Sequence, residues 1–129
     1  KPLQVEKINY TAVDVSEKAL AFAKTNVAQN AQAVQARSDF RCEVEIIKAD
    51  VLNPIEKLAN KTFDVVIADP PAFIKNRKSI PQGKQAYVQL FQSAIEKTAP
   101  GGLVVACSCS QLLSHQEFWD QMHLQADYQ

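Results

Sequence analysis

The sequence predicts an α/β fold built on a mostly parallel sheet. Three observations predict it. Apolar residues switch between a period of two and one of about 3.6 several times along the 129 residues. Strand-like segments alternate with helix-like ones, a pattern that calls for parallel strands and right-handed crossovers. Segment 63–68 (FDVVIA) is apolar almost throughout, as expected of a strand covered on both faces.

Residues 8–15 (INYTAVDV), rich in β-branched side chains, are the first strand. Ser16 caps a helix that runs to about residue 30, with Glu17 in the first turn, where the helix dipole favours an acid. Ala19, Leu20, Ala23 and Val27 form its apolar stripe. Residues 31–41 fit either a helix extension or a loop. Residues 43–48 (EVEIIK) are the second strand, and Asn53-Pro54 opens a short helix over 54–60. The third strand, 63–68, runs into Asp69-Pro70-Pro71, and a polar loop follows to about Gly83. Tyr87, Leu90, Phe91, Ala94 and Ile95 mark the clearest helix, which Pro100-Gly101-Gly102 stops. Residues 103–107 (LVVAC) are the fourth strand. Ser114 and Glu117 make a capping box for a last helix, with Leu113 and Phe118 placed to staple it. No repeat, low-complexity tract or interdomain linker interrupts the chain.

Composition narrows the function classes. The chain is 47% hydrophobic and 22% charged, and its 14 basic and 14 acidic residues cancel, so no global field selects a nucleic acid or a membrane. No apolar run approaches the ~18 residues of a membrane span, and no signal peptide opens the sequence. Three cysteines, two of them as close as Cys107 and Cys109, do not make a disulfide framework and point to a reducing cytoplasm. His115 and His123 lack metal-ligand partners at a useful spacing and are expected on the surface of the last helix. Metal binding is not expected.

Ligands of parallel α/β sheets collect at the carboxyl ends of the strands. Here those ends carry Asp14, Asp50, Asp69 and Cys109. Asp14 is suited to the two hydroxyls of a ribose, or to helping Ser16 cap its helix. Asp50 is suited to an adenine amino group, or to starting a turn. In Asp69-Pro70-Pro71-Ala72-Phe73 two prolines stiffen the backbone beyond the acid, which suits a site that fixes a planar base; an ordinary strand-ending turn is the alternative. Ser108-Cys109-Ser110 puts a thiol at a strand end, either a nucleophile or a structural cysteine; Cys107 and Cys42 are expected to be buried and structural. Lys75, Arg77, Lys78 and Lys84 stand in a stretch from Pro70 to Ile95 that holds no acid, a basic loop for phosphate or a solvated one.

In this order, Asp14, Asp50, DPPAF and PGG-LVVACSCS resemble the class I S-adenosylmethionine-dependent methyltransferases. Within them the chain resembles the bacterial 23S ribosomal RNA cytosine-C5 methyltransferases, from about residue 10 to 120. The resemblance implies a Rossmann-like three-layer sandwich, with S-adenosyl-L-methionine as cofactor and ribosomal RNA as partner. Asp14 would hold the cofactor's ribose, Val15 would pack on its adenine, and Asp50 would bind the adenine amino group. Asp69 would face both the methionine end and the target base. Cys109 would be the nucleophile, with Pro70, Pro71, Phe73, Lys75, Arg77 and Lys78 on the RNA side.

One departure is plain. Only three glycines occur, where roughly nine would be average, and none precedes Gly83. The family's glycine-rich cofactor loop and the central first strand before it are therefore absent. Residues 1–129 are expected to be a partial catalytic domain, inactive in isolation. The sheet should show a central gap, or a direct pairing of the strands ending at Asp14 and Asp69, and an unpaired edge favours association with another copy. Two rival functions remain. An exocyclic-amine methyltransferase would carry an aromatic residue at position 72, where Ala72 stands, and has no need of Cys109. A non-catalytic RNA- or protein-binding relic would keep the fold without the cofactor loop.

Overall fold

Strands β1 (Lys7–Asp14) and β2 (Arg41–Lys48) pair in parallel from Lys7 opposite Arg41 to Asp14 opposite Lys48. The computed structural model describes residues 7–35 and 41–126. They form two compact units that divide between Ile55 and Glu56.

In the first unit helix α1 (Glu17–Gln35) connects the two strands. Ser16 caps it as the sequence predicts, its Oγ accepting the Ala19 N–H at 3.2 Å. Glu17 pairs with Lys48. The helix runs past residue 30, so 31–35 extend it, while 36–40 lie outside the described residues. Its apolar stripe is narrower than expected: Leu20 is buried and Ala23 half-buried, but Ala19 and Val27 are exposed. A pair of strands offers the helix a single line of contact. Cys42, expected in the core, is exposed, because the first half of β2 lies open. The helix expected over 54–60 shrinks to one 3-10 turn, Glu56–Leu58. The turn starts three residues after Asn53, whose side-chain amide donates to Asp50 Oδ2 at 2.8 Å.

The second unit holds β3 (Phe63–Ala68), α2 (Ile80–Glu96), β4 (Thr98–Ala106) and α3 (His115–Ala126). β3 and β4 pair in parallel. Among the described residues the strands ending at Asp14 and Asp69 belong to separate two-stranded sheets, so the direct pairing of the two is not observed. β3 is covered on one face only: Val65 is 51% and Ile67 64% exposed, and they stand opposite Leu103 and Val105 on the open face. Helix α2 begins one turn before Gly83. Gly83 is buried there because a Cβ would overlap Ile74 Cγ1 and stand 3.0 Å from the Phe73 carbonyl carbon and oxygen.

Pro100-Gly101-Gly102 does not stop α2. The helix closes at Lys97, whose N–H reaches the Ser93 and Ile95 carbonyls and whose ammonium donates to the carbonyls of Leu58 and Ala59 at 2.7 and 3.0 Å. β4 has already begun at Thr98, and the three residues lie within a bulged, irregular stretch of its pairing with β3. Pairing passes from Phe63–Thr98 directly to Val65–Leu103, with Gly101 at φ +79°. A Cβ at Gly102 would stand 2.8 Å from the Asp64 carbonyl oxygen, so the close approach of the strands there needs glycine.

Tyr87, Leu90, Phe91 and Ala94 are buried as the helical stripe predicts, while Ile95 at its end is half-buried. Phe118 of α3 meets the rings of Tyr87 and Phe91 edge-on at 6.3 and 5.3 Å. The predicted capping box is present: Ser114 Oγ accepts the Glu117 N–H at 3.2 Å, and Glu117 Oε2 accepts the Ser114 N–H at 3.0 Å. Leu113 is buried, and His115 and His123 are exposed.

Lys84, expected in the basic loop, lies on α2 and donates to Glu117 Oε1 at 2.6 Å. That bond first, and those from Ser114 next, lower the Glu117 carboxyl from its ordinary 4.5 to about 2. A lowered carboxyl stabilises the fold above the ordinary carboxylate range, and the contribution is lost as pH falls through the folded value. Acid titration should therefore show the stability gap between the parent and Glu117→Gln closing as pH falls from 4.5 towards 2. A constant gap over that range would refute the assignment.

Candidate active site

In the first unit Asp14 and Asp50 leave adjacent, parallel strands at the same end, with the Ala49 N–H donating to the Asp14 carbonyl at 3.1 Å. Both carboxylates organise local backbone. Asp14 Oδ1 accepts the Ser16 N–H at 2.7 Å, and Asp50 Oδ1 accepts the Leu52 N–H at 2.9 Å. The turn-forming readings of both acids are thus observed. A carboxylate has about four lone-pair sites, so each keeps capacity for a further donor. Val15 beside Asp14 is 60% exposed, an apolar surface open to a flat ligand.

In the second unit parallel pairing brings the ends of β3 and β4 side by side, and the Cys107 N–H prolongs the ladder to the Ala68 carbonyl at 2.9 Å. Cys107 is half-buried rather than fully buried, because β4 ends one residue before it. Asp69 and Pro71 are exposed, while Pro70 is buried. Cys109 is exposed, with its Sγ 3.9 Å from the Pro70 carbonyl oxygen. Ala72, Ile74, Lys75, Cys109, Gln111 and Leu112 line a shallow, open hollow. The acid–proline segment and the thiol therefore meet on one rim.

Not every candidate faces that rim. The Phe73 ring turns to Tyr87, edge-on at 4.9 Å. Arg77 and Lys78 lie in a 3-10 turn (Arg77–Ser79) capped by Asn76, whose Oδ1 accepts the N–H groups of Lys78 and Ser79 at 3.0 and 3.1 Å. With Lys75 they are exposed. Lys84 is engaged with Glu117 and leaves the basic set. Among the described residues no group of three or more His, Cys, Asp or Glu side chains is placed to hold a metal ion. Nor is any helix among them long and apolar enough to cross a membrane.

Sequence reasoning missed the hydroxyls behind the thiol. Tyr87 reads as one more apolar-stripe residue, yet its hydroxyl lies 2.9 Å from Ser110 Oγ and accepts from Ser108 Oγ at 2.8 Å. The usable signal was the phenol itself, since a buried tyrosine hydroxyl needs a partner.

Comparison with known proteins adds the following. A family model described as a methyltransferase domain matches residues 3–129. The chain is 31% identical over 105 residues to ribosomal RNA large subunit methyltransferase I of Cronobacter sakazakii, covering 80% of this chain and 25% of that protein. Its counterpart in Alteromonas mediterranea is 35% identical over 105 residues, with coverage of 80% and 25%. The ribosomal RNA large subunit methyltransferase of Deinococcus radiodurans is 31% identical over 110 residues, with coverage of 84% and 25%. The chain spans about a quarter of the length of the curated relatives it matches.

Proposed function

The chain belongs to the methyltransferase domain family, and from that premise we propose that it works in S-adenosylmethionine-dependent methylation of cytosine C5 in ribosomal RNA. Residues 1–129 are then part of the catalytic domain of a cytoplasmic enzyme. The single observation that carries the C5 reading is the exposed Cys109 thiol on the rim of the Asp69-Pro70-Pro71 segment. Relatives named as large-subunit ribosomal RNA methyltransferases support the substrate class.

The cofactor fits the first unit in part. Asp14 and Asp50 retain acceptor capacity for ribose hydroxyls and an adenine amino group, and exposed Val15 offers the adenine an apolar face. When bound, S-adenosylmethionine supplies an electrophilic methyl group. The second unit, taken by itself, carries the residues for the chemistry on the target base. C5 of cytosine is too weak a nucleophile to take the methyl unaided. The Cys109 thiolate adds to C6, which turns the ring into an enamine with a nucleophilic C5. After methylation a base removes the C5 proton, the ring regains its double bond, and Cys109 leaves as thiolate. Asp69 is the acid on this rim and faces the target base. The base must be turned out of its stack to enter, and exposed Lys75, Arg77 and Lys78 are available to RNA phosphates beside it.

RNA bearing 5-fluorocytosine at the target tests the scheme, because fluorine does not leave as a proton does and the adduct persists. The full-length protein should form a stable protein–RNA adduct, which peptide mass spectrometry locates at Cys109. A link at Cys107 or Cys42, or methylation without any adduct, would overturn the assignment.

A further inference from the structure

We propose that Tyr87 is a positioning residue whose hydroxyl clamps the Ser108–Ser110 segment, and with it the Cys109 thiol, against the segment that follows Asp69. The proposal rests on the reading of Cys109 as nucleophile and adds the device that holds it.

Tyr87 is fully buried in the middle of α2. Its ring contacts Phe73, Phe91 and Phe118, and a phenylalanine would make the same contacts. Only the hydroxyl distinguishes tyrosine, and it is shared by the two residues that flank Cys109: it lies 2.9 Å from Ser110 Oγ and accepts from Ser108 Oγ at 2.8 Å. Ser110 Oγ also accepts the Ile74 N–H at 3.1 Å, and the Ser110 N–H donates to Ser108 Oγ at 3.2 Å. One buried phenol thus ties both neighbours of the thiol to each other and to the backbone four residues beyond Pro70.

Among the described residues the one polar contact of Cys109 is the long approach to the Pro70 carbonyl. Its place is set by its flanks. That division suits a nucleophile, which must keep its own valence free while its support stays rigid. Gly83, one turn before Tyr87, lets α2 lie close to the segment after Pro70, because it leaves room for the Phe73 backbone and the Ile74 side chain.

The test compares Tyr87→Phe with the parent in the full-length protein, with thermal melting as the check on folding. In the variant kcat should fall about tenfold or more at unchanged KM for RNA and cofactor, since misplacing a reacting group by about 1 Å costs up to ~100-fold. Iodoacetamide alkylation, followed peptide by peptide without RNA, should become several-fold faster at Cys109 and stay unchanged at Cys42. If Tyr87→Phe does not fold, Ser108→Ala, which removes one arm of the clamp at an exposed position, should show the same pair of changes. A parental alkylation rate at Cys109 overturns the clamp whatever the activity does, and so does a rise in KM at unchanged kcat. Failure of the nucleophile reading is distinguishable: Cys109→Ala would then stay active, while alkylation still decides whether Tyr87 holds the segment.

Discussion

Replacing Cys109 by alanine is expected to abolish methylation by the full-length protein while leaving its fold and cofactor affinity nearly intact. The thiol is exposed and its one polar contact among the described residues is the 3.9 Å approach to the Pro70 carbonyl, so little packing is lost when it is trimmed. The change in stability should stay within about 1 kcal/mol. On the proposed C5 chemistry the loss of activity is total, because without covalent addition at C6 the C5 position would have no activated form. Cys107→Ala should behave in the opposite sense. Cys107 is half-buried at the end of the β3–β4 ladder, so its truncation costs some stability and leaves activity in place. Methylation of target RNA by the two variants, with a denaturation curve for each, separates the roles. Full activity in Cys109→Ala would remove C5 chemistry from consideration.

The second large effect falls on stability. Phe91→Ala should destabilise the second unit by about 3–5 kcal/mol, the usual cost of emptying a phenylalanine site in a packed core. Phe91 is fully buried, stacked on Tyr87 at 5.7 Å and edge-on to Phe118 at 5.3 Å. Its removal opens a cavity where α2 and α3 meet, and fully packed neighbours leave little scope for collapse. Set against the roughly 5–15 kcal/mol of a whole domain, such a loss should be plain in chemical denaturation. A change below about 1 kcal/mol would mean that the two helices can repack without it.

The α/β class, the parallel pairing, the α2 stripe and the Ser114–Glu117 box were legible because each is a local periodicity or a short-range cap. β3 was legible to the residue, since Asp69-Pro70 ends it abruptly. What could not be read depends on partners distant in sequence. Pro100-Gly101-Gly102 looks like a helix stop, and only pairing with β3 makes it a bulge. Apolar residues at Val65 and Ile67 suggest burial, but exposure depends on whether anything covers that face. Asn53-Pro54 has the form of a helix start, yet only one 3-10 turn forms, and it begins at Glu56.

The site divides along the same line. The strand-end position of Asp69 and Cys109 follows from topology and was legible. The departure of Lys84 from the basic loop was not, because its partner Glu117 stands 33 residues away. The Tyr87–Ser108–Ser110 hydroxyls were hidden for the same reason: the side chains belong to α2 and to the turn after β4.

The open face of β3 and β4 presents an apolar strip to solvent. Val65, Ile67, Leu103 and Val105 form a short ladder of branched aliphatic groups, two against two in register. The formal charge at pH 7 is zero, so approaching copies meet no long-range repulsion there. Residues 1–129 on their own are therefore expected to be least colloidally stable near neutrality, and light scattering across a pH series should show scattering fall as the pH is moved to either side.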